Sequence, residues 1–143
     1  RIPRWRNGGG LLTRMTDSYT LLLLPERYGV VRLEPGTELN TKGGQTTDLL
    51  AVIHTPEETT VVCLERIIPK SRLAEKGWRA LKIASKLDFS LVGVLASLLN
   101  PLAETGVSVY TLSTYSTDFI LIKGRQLEKA IQVLRNMGHE IIE

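Results

Sequence analysis

The sequence predicts an α+β fold in which two helices pack on one face of an antiparallel sheet. Three observations support this prediction. Short strand-like runs recur from residue 18 onward, two segments of the second half carry apolar residues at helical spacing, and the elements from residue 77 onward follow the order β-α-β-β-α-β. This order is the split βαβ arrangement of ferredoxin-like folds, in which right-handed crossovers place both helices on the same face.

The first half is predicted to consist mainly of strands. Residues 18–24 and 28–33 are short apolar runs interrupted by Pro and Gly. Residues 49–54 and 59–64 form two further runs, and the turn signal at 55–58 between them predicts that they pair as a hairpin. Between the two pairs of strands the chain is polar and lacks a sustained period, which is typical of a loop.

The second half begins with a predicted strand at 78–83, where apolar and polar side chains alternate. A helix is predicted next, because apolar residues recur at helical spacing over 91–102. Ser90 stands where an N-cap hydroxyl would satisfy the first free N–H groups. Pro101 lacks the N–H that would bond back one turn, so a kink is expected there before the helix ends at Gly106.

Two more strands and a second helix complete the predicted pattern. Strands are expected at 107–113 and 118–122. Apolar residues then recur at helical spacing over 127–137, and Gly138 is a suitable residue to end that helix. A short strand is expected at 140–142.

Composition excludes several functional classes. No apolar run reaches membrane-spanning length, and 43% apolar with 23% charged residues is typical of a soluble globular protein. The first fourteen residues carry four Arg and no acid, so the rest of the chain has 18 − 4 = 14 basic against 15 acidic residues, which argues against nucleic-acid binding. Residues 1–14 are expected to be a non-native remnant or a disordered leader. Cys63 cannot form an internal disulfide, and a reducing, cytoplasmic setting fits.

Neither a catalytic site nor a cofactor is predicted. His54, His139 and Cys63 lack metal-ligand spacing, and neither a nucleophile elbow nor a P-loop is present. Cys63 lies within an apolar run and is expected to be a buried strand residue.

Four motifs of the second half occur in order: GWRAL at 77–81, LDFSLVGVLA at 87–96, PLAE at 101–104 and STYSTDFIL at 113–121. Together they resemble the small bacterial ACT-domain proteins, which are related to the regulatory domains of aspartate kinase and to the Castor arginine sensors of animals. The segment from Thr55 to Cys63 resembles the degenerate first repeat of the same proteins.

The resemblance implies a specific domain organisation and function. Residues 15–69 would form a degenerate ACT-like module, 70–76 a charged linker, and 77–143 an ACT domain of the ferredoxin-like βαββαβ type. The implied function is non-catalytic binding of an amino acid by a sensor or regulator of amino-acid metabolism. Because small sheets expose unpaired edge strands, a homodimer that covers them is expected.

The resemblance also implies a ligand site built from two polar clusters. One cluster is the loop that opens the first helix, which meets the backbone groups of the ligand. The other is the turn that meets its side chain, and at Ser116 of this turn many relatives have an acid or an amide. The implied site residues are Asp88, Phe89, Ser90, Leu91, Val92 and Gly93 in the loop, and Thr114, Tyr115, Ser116, Thr117 and Asp118 in the turn.

The residues themselves suit this chemistry. Free N–H groups at a helix start bind a carboxylate, and Asp118 offers a carboxylate to an ammonium or a guanidinium. If the strands pair as predicted, the two clusters lie near each other at one end of the sheet. The structural alternatives are that Ser90 only caps its helix and that Asp118 is a solvated turn residue. The functional alternative is a protein-interaction module with a vestigial, empty pocket.

Overall fold

The computed structural model describes residues 18–39, 49–84 and 93–143, and this part of the chain contains eight strands and two α-helices. The predicted α+β class is confirmed. The elements are β1 (Thr20–Leu23), β2 (Tyr28–Leu33), β3 (Ala51–His54), β4 (Thr59–Leu64), β5 (Ala74–Ile83), α1 (Val94–Glu104), β6 (Val109–Ser113), β7 (Asp118–Lys123), α2 (Leu127–Asn136) and β8 (Glu140–Ile142).

The eight strands form one sheet that is organised around β5. On one edge of β5, its first residues pair with β2 and its last residues pair with β1, so the path runs β3-β4-β2-β5-β1-β8. The opposite edge of β5 pairs with β7, which in turn pairs with β6. The ten residues of β5 are enough for both neighbours on one edge, because β1 has only four residues.

From Ala74 to Ile142 the observed order is β-α-β-β-α-β, as predicted. The position of β1 could not be predicted. It lies between β5 and β8, antiparallel to β5 through Leu21 and Ile83 and parallel to β8 through Leu21 and Ile141. The strand that comes first in the chain is therefore paired with second-half strands, and the boundary between modules at residues 69 and 77 stays a prediction.

The segment predicted as a linker, 70–76, proves to be partly a strand, because β5 begins at Ala74. Val31 pairs with Ala74, and Arg32 N–H donates to Leu73 O at 2.9 Å, which continues the contacts beyond the strand. These contacts are between backbone groups, and such pairing needs no apolar side-chain period. Because the segment is charged and shows no apolar alternation, the sequence did not predict that β5 begins here.

Helix α1 begins at Val94, with Gly93 in the N-cap position at φ 82°. Ser90, the predicted N-cap, lies outside the described residues. Pro101 lies inside α1, which is continuous to Glu104, and the Thr105 hydroxyl donates to Pro101 O at 3.2 Å. This contact satisfies a carbonyl that the end of the helix leaves without an intrahelical donor.

The sheet buries both of its faces. Alternate residues of a strand point to opposite faces, so Leu81 and Ile83 contribute to the core under the helices, while Trp78 and Ala80 contribute to the other core. The helix-covered core contains Leu21, Leu81, Ile83, Leu98, Leu102, Val107, Ile120, Ile122, Ala130, Ile131, Leu134 and Ile141. The opposite core contains Tyr28, Val62, Leu64, Trp78, Ala80, Phe119 and Leu121, and so joins strands of both halves. Neither α1 nor α2 is long and apolar enough to cross a membrane.

Candidate functional site

The turn between β6 and β7 is built by Thr114. Its N–H donates to Thr117 O at 2.8 Å. Its hydroxyl oxygen accepts from the N–H groups of Ser116, at 3.3 Å, and Thr117, at 3.1 Å. The Thr114 side chain therefore fixes the backbone of the turn, as hydroxyl residues do at such positions.

Two further hydroxyls fix the turn to its surroundings. The Ser113 hydroxyl donates to Asp118 Oδ1 and joins the ends of β6 and β7. The Thr117 hydroxyl donates to Ile83 O, the last residue of β5, at 2.6 Å. The turn is thus held against the end of β5, where the connection to α1 begins.

The other predicted cluster is only partly described. Asp88, Phe89, Ser90, Leu91 and Val92 lie outside the described residues. Gly93 is exposed, and glycine has no side chain with which to cap the first turn of α1. A Cβ placed on Gly93 would meet no atom within 4 Å, but the positive φ of 82° is strained for other residues. The glycine is therefore required by backbone conformation and not by a close neighbour.

Exposure differs along the turn. Thr114, Tyr115 and Ser116 are exposed, with Tyr115 at 85%, whereas Thr117 and Asp118 are half-buried. The half-buried pair lies next to β5, and the exposed residues form the tip. A ligand held beside β5 would therefore meet Asp118 before it met the tip.

The sequence did not reveal a second contact at the end of β5. Ala84, the residue after β5, donates its N–H to Thr20 O of β1 at 2.8 Å. The start of the β5–α1 connection is thus held by β1 on one side, and Ile83 is held by the β6–β7 turn on the other. No sequence signal could have found this contact, because it depends on the insertion of β1 beside β5.

The described residues show neither a metal centre nor an activated thiol. No group of three or more His, Cys, Asp or Glu side chains is placed to hold a metal ion in residues 18–39, 49–84 and 93–143. Cys63 is buried in β4 as predicted, and burial raises the pKa of its thiol above the ordinary value, which disfavours the nucleophilic thiolate.

Three surface clefts lie away from the turn. One of about 640 Å³ follows α2, one of about 500 Å³ lies beside Lys70, and one of about 420 Å³ lies between β2 and Tyr110. The cleft beside Lys70 is lined by acids and bases together, among them Glu57 and Arg72. This mixture does not favour one ligand class, so shape alone does not identify a site here.

The sequence pattern of the ACT domain matches residues 73–136, from the start of β5 through α2. Residues 73–136 are thus similar to an ACT domain. The match covers a little under half of the chain and includes the β6–β7 turn. The remaining strands of the first half lie outside it.

Curated relatives match parts of the chain. The human cytosolic arginine sensor for mTORC1 subunit 1 is 34% identical over 95 residues, which are 59% of this chain and 29% of that protein. The human putative protein CASTOR3P is 32% identical over 90 residues, 54% of this chain and 55% of that protein. This chain thus spans about 29% of the first protein's length and 55% of the second's.

Solved structures extend the similarity to most of the chain. An Agobacterium tumefaciens protein from a structural genomics programme superposes with a TM-score of 0.78 at 27% identity, covering 88% of this chain and 93% of that one. The aspartate kinase of Synechocystis superposes with a TM-score of 0.57 at 18% identity, covering 90% of this chain and 28% of the kinase. At that identity the kinase is similar in fold alone.

Proposed function

We propose that this protein binds an amino acid through its ACT domain and acts as a non-catalytic sensor or regulator. The observation that carries the proposal is the contact between the Thr117 hydroxyl and Ile83 O. This contact holds the predicted side-chain cluster at the end of β5, from which the predicted backbone-binding loop departs. Two clusters that are distant in the sequence would thereby serve one small ligand.

Each part of the site would have a separate role. The loop from Asp88 to Gly93 would receive the ligand carboxylate on N–H groups near the start of α1, where the helix dipole favours an anion. Asp118 would accept from an ammonium or a guanidinium, since its Oδ1 already accepts from a hydroxyl and the other lone pairs remain usable. Tyr115 and Ser116 lie at the exposed tip and would contribute to side-chain selection.

The relatives support a regulatory role. One curated relative is named a cytosolic arginine sensor for mTORC1. We therefore include a cytoplasmic location, and regulation through a partner or a second copy of the chain, in the proposal. Among the described strands, β3, β6 and β8 each pair on one edge only, and a homodimer would cover some of these edges. Binding would regulate only if the ligand prefers one of two states.

One observation favours an interaction module instead. The Thr114 hydroxyl already bonds within the turn and the Thr117 hydroxyl bonds to β5, while Tyr115 at the tip is 85% exposed. An exposed aromatic residue on a rigid turn suits contact with a protein partner. In that case the pocket would be empty and the turn would act as a docking element.

Ligand-induced stabilisation distinguishes the two functions. Each of the twenty amino acids is tested at millimolar concentration by thermal unfolding, because a ligand at 100 times its Kd stabilises the folded state by about 2.7 kcal/mol. The amino acid with the largest shift is then titrated by calorimetry. Asp118→Asn should weaken its binding about 10- to 100-fold, the value of a charge-assisted hydrogen bond.

Glu57→Gln provides the matched control, because Glu57 is an exposed acid in the corresponding turn of the β3–β4 hairpin. This variant should bind as the wild type does. A screen in which no amino acid raises the unfolding temperature would reject the proposed function and favour the interaction module. Unchanged affinity in Asp118→Asn would remove Asp118 from the site.

A further inference from the structure

Strand β1 is held at its first end by a histidine. The N–H of Tyr19, the residue before β1, donates to Nδ1 of His139 at 3.0 Å. Tyr19 O accepts from the Glu140 N–H at 3.0 Å, and the Tyr19 and His139 rings are stacked with centroids 5.7 Å apart. His139 immediately precedes β8, so these contacts join the start of β1 to the start of β8.

The contact requires a neutral imidazole. Nδ1 can accept from a backbone N–H only while it carries a lone pair, so the proton of the neutral ring lies on Nε2. Protonation would place a second donor against the Tyr19 N–H and would put a positive charge on a residue that is only 7% exposed. Burial lowers the pKa of His139 below its ordinary value of 6.5, which agrees with this geometry.

Charged groups on β8 and in the last turn of α2 are engaged with other partners. On β8, Glu140 accepts from the Thr20 hydroxyl at 3.2 Å. On α2, Arg135 donates to Ile141 O at 2.9 Å and lies 3.2 Å from Glu143 Oε2. Residues 20–23 of β1 carry no titratable side chain.

The C-terminal end of α2, in contrast, favours protonation of His139. His139 donates its backbone N–H to Leu134 O at the end of α2, where the helix dipole favours a cation. The loss of the Nδ1 acceptor and the burial of the ring both oppose protonation and outweigh this effect.

The contacts of β1 connect His139 to the candidate site. Strand β1, which His139 holds, also contacts the end of β5, because Thr20 O accepts from the Ala84 N–H. The neighbouring residue Ile83 pairs with Leu21 of β1 and receives the Thr117 hydroxyl. Release of β1 would therefore remove its contacts with Ile83 and Ala84 and would leave the Thr117 hydroxyl as the other contact among the described residues. The candidate site is built on this end of β5.

We propose that His139 is a proton-sensitive lock, whose protonation releases β1 from β8 and loosens the end of β5 at Ile83 and Ala84. That the release weakens amino-acid binding is a consequence that rests on the proposed function. The device is distinct from ligand recognition, because it belongs to the fold of the unliganded protein.

The lock is tested first without ligand, by hydrogen exchange of the amides of β1. The released state has an unperturbed histidine with a pKa of about 6.5, whereas the closed state binds a proton only at lower pH. Stability of the closed state is therefore complete above about pH 6.5 and falls as the pH drops toward the lower pKa of the closed state. After correction for intrinsic exchange rates, the opening constant of β1 should rise about tenfold per pH unit in this window.

Histidine variants show whether His139 causes the pH dependence of β1 opening. His139→Gln can accept from the Tyr19 N–H without titrating, so its β1 opening should be independent of pH. His54→Gln changes the other histidine of the chain, in β3, and should retain the wild-type dependence. If His139→Gln does not fold, an NMR titration of the wild-type His139 ring decides. A ring pKa at or above about 6.5 in the folded protein, or β1 protection that does not change with pH, would overturn the proposal.

The coupling to the site is tested with the same proteins. The twenty amino acids are screened by thermal shift at about pH 7.5 and about pH 5.5, where a histidine with an ordinary pKa changes its charge. A stabilising amino acid should give a smaller shift at the lower pH in the wild type and equal shifts in His139→Gln. If no amino acid stabilises the protein at either pH, the proposed function fails, while the exchange measurement still decides the lock.

Discussion

The β3–β4 and β6–β7 hairpins have the same turn. In each, a threonine opens the turn, donates its N–H to the carbonyl three residues ahead, at 2.9 Å for Thr55 and 2.8 Å for Thr114, and accepts two backbone N–H groups on its hydroxyl. The second strand of each hairpin has six residues and is followed by a short 3₁₀ turn. Hairpin and 3₁₀ turn thus follow the same plan in both halves, while the tandem modules stay a prediction.

The two hairpins differ in how their turns are attached. Glu58 forms an ion pair with Arg32 of β2 at 3.0 Å, whereas Thr117 bonds to a backbone carbonyl of β5. The strand ends are joined by His54 and Thr59 in one hairpin and by Ser113 and Asp118 in the other. The common turn is therefore a structural element, and the function of each half must depend on the residues attached to it.

The halves also differ after the hairpin. The 3₁₀ turn after β7 leads into α2, whereas the one after β4 leads into an extended segment in which Ile68 covers Gly29 of β2. A Cβ on Gly29 would lie 2.9 Å from Ile68 Cγ2. After its 3₁₀ turn, the first half thus packs one side chain on a backbone without a Cβ, whereas the second half continues into a helix. Three predictions test this comparison.

The largest effect is expected from Gly29→Ala. The new methyl group would overlap Ile68 Cγ2, which is attached directly to a Cβ and cannot move away alone. Overpacking of this kind costs about 1–3 kcal/mol of unfolding free energy. Urea denaturation measures the loss.

A second substitution shows whether Ile68 is the cause. In an Ile68→Ala background the overlap disappears, so Gly29→Ala should cost much less there than in the wild type. Equal costs in both backgrounds would mean that Ile68 does not set the limit at Gly29.

An intermediate effect is expected from the two threonines. Thr55→Val and Thr114→Val each remove a hydroxyl that accepts two backbone N–H groups, and each should lose about 1 kcal/mol of unfolding free energy. The comparison predicts nearly equal losses, and full recovery in Thr55→Ser and Thr114→Ser. A large loss at one site and none at the other would show that the turns are not equivalent.

The smallest effect is expected from the ion pair that distinguishes the first turn. Side chains of Arg32 and Glu58 are 53% and 37% exposed, and exposed pairs contribute about 0.2–1 kcal/mol. A double-mutant cycle with Arg32→Gln and Glu58→Gln should give a coupling energy in this range that declines in high salt. A coupling above that range that is insensitive to salt would contradict the assignment as a surface pair.

The strand pattern could be predicted closely where local signals are strong. The observed bounds of β2 and β4 match the predicted 28–33 and 59–64, since the first run ends before the turn at Pro35-Gly36 and the second is rich in β-branched residues. The turn at Thr114 was also predicted, because hydroxyl residues between two strands favour it. The prediction was wrong at Ala74, where β5 begins inside the segment predicted as a linker. The charged residues of this segment show no apolar alternation that would have indicated a strand.

The candidate site was predictable in part. The motifs of the second half located the turn from Thr114 to Asp118, whose hydrogen bonds the structure then described. Whether it binds a ligand stays a prediction, as does the role of the loop from Asp88. The contacts of Ala84 and His139 were not predicted, because both depend on where β1 lies and no local pattern encodes a strand partner that is distant in the chain.

By itself, the sequence determined the type and order of the elements and the residues of each turn. These features depend on side-chain period, β-branching and hydrogen bonds between residues close in the chain. Only the tertiary structure decided that β1 is inserted between β5 and β8 and that Thr117 reaches Ile83. The reason is physical: backbone N–H and C=O groups are the same in every residue, so the choice of neighbour is made by the packing of the whole sheet.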